Sequence, residues 1–195
     1  PDFIFIVDEQ EPDPFRPGFY RFTAYSLASR LSFFLWNAPP DLPLLAAAES
    51  GDLHTKEGMA REVDRMLSSM RLENGMRAFF DDMLGFDEFN SLAKDPAAYP
   101  MVTGSTLRDS REQTLRTIID HLIIQDADYR DLFLTRKTFM SPALGIVYGI
   151  PAGNGWEPYQ FPEDSPRIGI LTHMSFLAAN SHAVRSSPTL RGQAL

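Results

Sequence analysis

Apolar positions recur at three- and four-residue spacing along most of this chain, the period of one helix face. Ala24, Leu27, Ala28, Leu31, Phe34 and Leu35 form a first stripe. Asn37-Ala-Pro-Pro40 should end it, because proline lacks an amide donor and clashes with the preceding turn. Leu42 to Ser50 predicts a short helix closed by Gly51, a usual residue just past a helix end. Thr55 is a candidate N-cap for a third helix, with Met59, Val63, Met66, Leu67 and Met70 as its apolar face. Leu72, Met76, Phe79, Phe80, Met83 and Leu84 mark a fourth, ended by Gly85.

The longest predicted helix runs from about Ser105 to Gln125, with Leu115, Ile118, Ile119, Leu122 and Ile123 on one face. Glu112 and Arg116 form an i,i+4 pair on its wet side. Ser141-Pro142 supplies a cap and a first-turn proline for a short helix to Tyr148, closed by Gly149. A helix is expected over Gly169–Ala179, and Ser187-Pro188 opens another.

The intervals are broken. Phe3–Val7 is a short β-like apolar run, and Asp8–Pro17 is acidic, proline-rich and expected to be an exposed loop. Residues 86–104 are irregular, and Ile150–Arg167 holds four prolines, too interrupted for regular structure. No internal repeat and no alternation of strand and helix is visible. The expected fold is mainly α, an irregular multi-helix bundle with long Pro-rich loops. Residues 1–18 read as the tail of a preceding segment and a linker, 19–150 as a helical module, and 151–195 as a second, shorter module truncated at its C-terminus.

Composition narrows the function. With 195 residues and 44% hydrophobic content the chain can bury a core. No apolar run approaches the roughly 20 residues of a membrane-crossing helix, so no transmembrane segment is expected. The net charge of -8 argues against nucleic acid as a partner, since such binding depends on neutralising phosphates. Zero cysteines removes disulfides, cysteine-zinc sites and covalent haem attachment within this chain.

The charge is unevenly spread. The first 14 residues hold five acids and no base, whereas the last 31 hold three arginines, two of the four histidines and no acid. That tail is therefore where an anion would be drawn. His173, His182, Arg185, Ser187 and Arg191 are the candidate ligand-binding residues. Ser187 would cap a helix whose first amides face an anion, and the arginines supply forked donors. The histidine spacing fits no metal motif, so no metal site is assigned. The alternative for these residues is structural, with His173 bonding within packed helix, His182 bonding loop carbonyls and the arginines bracing an acidic body. Ser181, Ser186 and Ser187 beside a histidine could suggest nucleophilic catalysis, but no G-x-S-x-G elbow is present and no catalytic residue is assigned. Asp81, Asp82 and Glu73 read as solvated side chains. Met140 and Met174 read as core filling, with axial ligation of a haem from another domain as the alternative. Arg30, among Leu27, Leu31 and Phe34, needs a partner for its head, and Asp41 is the candidate.

Leu27-Ala-Ser-Arg-Leu-Ser-Phe-Phe-Leu-Trp-Asn-Ala-Pro-Pro-Asp41, with Leu44-Leu-Ala-Ala-Ala and Gly51-Asp-Leu, resembles the opening of planctomycete-type cytochrome-c-associated domains of unknown function. Asp128-Tyr-Arg-Asp-Leu-Phe and Tyr148-Gly-Ile-Pro151 resemble the middle of that assembly. Gly169-Ile-Leu-Thr-His-Met-Ser-Phe-Leu and Ser181-His-Ala-Val-Arg-Ser-Ser-Pro-Thr-Leu-Arg-Gly192 are similar to an adjacent second module. The resemblance implies two adjacent modules of a larger exported, periplasmic protein, with haem c on a neighbouring domain and no cofactor within this chain. It implies a helical scaffold or docking module whose partners are other domains of the same polypeptide or a redox partner. The alternative is an enzyme or anion-binding domain whose pocket is lined by His173, His182, Arg185 and Arg191.

Overall fold

Helix formation follows the apolar stripes closely. The computed structural model describes residues 8–195, so the β-like run Phe3–Val7 lies outside the described residues. Eight α-helices and two small antiparallel strand pairs, linked by 3₁₀ turns, make up the described residues, and the fold is mainly α. They gather into two compact units, one ending at Ala78 and one running from Phe79 to Leu195.

The first unit is built from α1 (Ala24–Trp36), α2 (Leu42–Glu49), α3 (Lys56–Leu67) and a hairpin of β1 (Gln10–Pro12) and β2 (Tyr20–Phe22). The hairpin occupies part of the stretch expected to be loop. Thr23 caps α1 by accepting from the Ser26 amide, and Asn37 ends it in the left-handed conformation, with φ of 51°. Ala28, Trp36, Leu44, Ala48, Leu53 and Met66 form the core. Trp36 also latches it, because its indole N–H donates to the Met66 carbonyl at 3.0 Å.

Asp41 caps α2 by accepting from the Leu44 amide and takes both terminal nitrogens of Arg65, at 2.8 and 3.0 Å. It is therefore not the partner of Arg30. That arginine pairs with Asp8 at 2.5 Å and lies over the Phe22 ring. Its partner lies just before β1, and the approach of this segment and of Phe22 in β2 to α1 is a tertiary contact that local spacing does not reveal. Ser68 caps α3 early, so Met70 falls beyond the helix and is exposed rather than on its apolar face.

The two units divide along α4 (Leu72–Met83). Phe79 and Phe80, neighbours about 100° apart around that helix, cannot share a face; Phe80 is buried and Phe79 is half exposed. Asp81 pairs with Arg111 at 2.5 Å and Glu73 with Arg77 at 2.7 Å, so these acids are held rather than merely solvated.

The second unit is organised around α5 (Gly104–Ile119). Its start is fixed by a capping box in which Thr103 and Thr106 exchange side-chain and backbone bonds. Beyond Ile119 the winding loosens into a π turn over Asp120–Ile124, where the α pattern had been expected to continue. The Glu112–Arg116 pair forms at 2.7 Å. Packed on α5 are α6 (Pro142–Tyr148), α7 (Met174–Ala179) and a strand pair of β3 (Lys137–Met140) with β4 (Glu157–Gln160). Strand β4 lies in the proline-rich stretch expected to be irregular. It pairs across position 150, so residues on both sides of that position belong to one unit. The helix expected over Gly169–Ala179 is a 3₁₀ turn, a break at His173 and then α7. Ser187 caps α8 (Pro188–Ala194), as expected.

Gly75 marks the tightest backbone approach in the first unit. A Cβ there would stand 2.0 Å from the Leu35 carbonyl oxygen, whereas one on Gly104 would meet nothing within 4 Å. Gly75→Ala is expected to destabilise by roughly 1–3 kcal/mol through overpacking. Gly104→Ala should leave the thermal midpoint unchanged or slightly raised. Melting curves of the two variants check this, and equal midpoints would contradict the close approach.

Candidate anion-binding cleft

One side of α5 is polar and yet buried. Ser110, Gln113, Thr114 and Thr117 on α5, with His121 in the π turn, recur at helical spacing and are all removed from water. Buried polar groups are costly unless bonded, and each of these has a partner. The hydroxyls of Ser110, Thr114 and Thr117 turn back onto carbonyls of their own helix. The remaining capacity reaches outward. Thr117 meets the Thr138 hydroxyl of β3 at 2.9 Å. Gln113 donates to the Phe139 carbonyl at 3.1 Å and accepts from the Tyr148 hydroxyl at 2.9 Å. Thr114 meets His173 Nδ1 at 3.0 Å and the Ser175 hydroxyl at 2.7 Å.

Tyr148 carries the chain of bonds further, since its oxygen accepts the Met174 amide at 2.8 Å. Burial pushes the Tyr148 phenol up, which keeps its proton in place for Gln113. Its ring lies under the Arg167 guanidinium at 4.4 Å, and Arg167 also donates to the Thr172 carbonyl. The start of α7 is thus suspended from α5 by side-chain bonds.

Beside this network lies a cleft of about 250 Å³. Five of its lining residues are aliphatic or thioether side chains: Val102, Val147, Met174, Leu177 and Ala178. Lys94, Arg167 and Arg191 stand around it with Tyr99, Tyr148, Ser181 and Ser186, and no carboxylate is among the lining residues. The Lys94 ammonium donates to the Ser181 carbonyl and hydroxyl, both at 2.9 Å, and to the His182 carbonyl at 3.2 Å. Burial lowers its pKa, because leaving water disfavours the charged form of the amine. A second groove, lined by Asp120, His121, Lys137 and Tyr159 among others, lies along the π turn.

The structure distributes the expected site residues unevenly. Arg191 lines the cleft, while His173, His182, Arg185 and Ser187 are not among its lining residues. His173 is buried against Thr114, at the N-cap position of α7 but without a capping bond from its ring. The side chains of His182 and Arg185 are exposed, and of His182 it is the carbonyl that meets Lys94. Ser187 is buried and caps α8 by accepting from the Leu190 amide. Met140 and Met174 both belong to the core cluster of this unit. Sequence reading missed Lys94, 87 residues from its partner Ser181. The only local signal was a lysine in an irregular stretch. In the sequence Arg167 stands out only as one of the three arginines of the basic tail. Among the described residues no group of three or more acids and histidines could hold a metal ion.

Fold and cleft together define a mainly α protein of two compact units, the second carrying a cation-lined pocket. A family model matches residues 22–150, two thirds of the chain, and the chain belongs to that family, PSD4, described as a protein of unknown function (DUF1592). No curated protein and no solved structure matches the chain. Among the described residues no helix is long and apolar enough to cross a membrane.

Burial, with a smaller contribution from the Arg167 charge, lowers the His173 pKa from its ordinary 6.5 to about 3. The unfolded chain therefore binds a proton that the folded chain refuses between those values. This contribution to stability is complete above pH 6.5 and is lost as pH falls toward 3, at about 1.4 kcal/mol per pH unit. Urea unfolding at pH 7, 5.5 and 4.5 should show that loss, and His173→Gln should flatten it. An unchanged slope in the variant would contradict the buried neutral imidazole.

Proposed function

We propose that the second unit binds a small anion in the cleft around Lys94, Arg167 and Arg191. The observation that carries this is three cationic side chains on one concave surface with no carboxylate among the lining residues, in a chain of net charge -8. A positive surface of that kind in an acidic protein concentrates anions by field as well as by contact. Among the described residues the Arg167 guanidinium donates once to protein, to the Thr172 carbonyl, and the Arg191 guanidinium to none, so donors remain for a ligand. Arg191→Ala and Arg167→Ala should each weaken binding of acetate or inorganic phosphate by about tenfold or more, as loss of a charge-assisted bond implies. Arg185→Ala, outside the cleft, should not. Titration calorimetry on the three variants checks the reading, and equal effects at all three positions would contradict it.

A second reading concerns the first unit. We infer that it serves as a docking face within an exported, c-type-cytochrome-linked protein, with the haem on a neighbouring domain. The resemblance of Leu27–Asp41 to such assemblies supports this, together with an open, largely apolar groove lined by Leu27, Leu31, Phe33, Phe34 and Met59, with the paired Asp8 and Arg30 also in its lining. Phe34 there is 78% exposed. The reading expects a C-x-x-C-H motif and an export signal in the full coding sequence. Their joint absence would remove it.

A further inference from the structure

The cleft is lined by two chemically distinct sets of side chains, and that narrows its ligand. Lys94 has its three ammonium hydrogens directed to Ser181 and His182, so it supplies charge but no free donor. The free donors belong to two guanidinium forks, Arg167 and Arg191, and a fork pairs with two oxygens in a plane. One fork is held in orientation, because Arg167 lies over the Tyr148 ring while donating to the Thr172 carbonyl. Besides the cations, Val102, Val147, Met174, Leu177 and Ala178 line the cleft with a hydrocarbon surface that a bare inorganic ion leaves unused. The volume of about 250 Å³ admits about eight water-sized groups, below the range of drug-sized sites.

We propose that the cleft is a site for a small amphiphilic carboxylate, a monocarboxylic acid with an unbranched or aryl apolar body of about four to six carbons. This rests on the anion reading of the same cleft and adds the class of ligand. The carboxylate sits between the Arg167 and Arg191 forks, and the hydrocarbon lies against the apolar lining from α7, Val102 and Val147. The Lys94 charge favours the ionised acid over the neutral one.

Titration calorimetry of the whole chain with acetate, butyrate, hexanoate, hexyl phosphate and inorganic phosphate tests it. Affinity should rise by about two- to fourfold per added methylene, the upper figure corresponding to full burial, and hexanoate should bind at least as tightly as hexyl phosphate. Val102→Ser should reduce the gain from acetate to hexanoate, while Arg191→Ala should weaken the whole series. Acetate and hexanoate binding within twofold of each other would overturn the amphiphilic assignment and leave the anion reading standing. Hexyl phosphate more than tenfold tighter than hexanoate would overturn the carboxylate, and an undiminished chain-length gain in Val102→Ser would overturn the apolar contact. No binding of any of the five anions would overturn both readings.

Discussion

The second unit depends on hydrogen bonds made by a helix face that would ordinarily be turned to water. Ser110, Gln113, Thr114 and Thr117 are buried along α5, and through Gln113 and Thr114 this face bonds Tyr148 and the start of α7, which contribute to the cleft. Left unbonded, such groups would each cost on the order of 1–3 kcal/mol. Bonded, they are selective in a way that apolar contacts are not, because only one placement of β3, Tyr148 and α7 satisfies all of them. Thr114 holds His173 and Ser175, and Gln113 holds Tyr148, which in turn holds the Met174 amide. The cleft is downstream of this arrangement: Met174 and Tyr148 line it, and Arg167 is oriented by stacking on Tyr148.

His173 has its meaning within this network rather than as a surface ligand. A histidine carrying a second charge beside Arg167 would be repelled as well as desolvated, so the imidazole stays neutral and acts as a fixed hydrogen-bonding wedge. The cations that stand in the cleft are of a different kind. They keep access to water, and their charge is not cancelled by a lining carboxylate. Separation of a neutral, buried layer from an open, charged layer lets the first be rigid while the second remains available to a ligand.

Much of the helical architecture was legible because it rests on local rules. Thr55, Ser141 and Ser187 cap as their types predict, and Gly51, Gly85 and Gly149 take positive φ at helix ends. What was not legible depends on distant partners. The strand pair β3–β4 joins residues about 20 apart through a proline-rich stretch, and alternation over four residues is too short a signal to separate from loop. Burial of the polar face of α5 was not legible, because threonine, serine and glutamine at helical spacing ordinarily face water; here Thr138, Tyr148 and His173 bond to it. In the candidate site, the basic tail pointed to Arg191, while Lys94 and the stacking of Arg167 emerged only from tertiary structure. His182 and Arg185, close to Arg191 in sequence, are exposed and outside the cleft lining, because the 181–187 segment folds back on itself through the Ser181–Ser186 bridge.

The dependence of the cleft on the α5 network can be read at one amide. The Met174 N–H has the Tyr148 oxygen as its acceptor, 26 residues away in sequence. Hydrogen exchange at Met174 should accelerate markedly in Tyr148→Phe, and also in Gln113→Leu, which leaves the tyrosine in place but removes its anchor, while exchange within α1 stays unchanged. Unaltered protection at Met174 in both variants would mean that α7 is held by apolar packing alone, and that the buried polar face of α5 does not position the cleft.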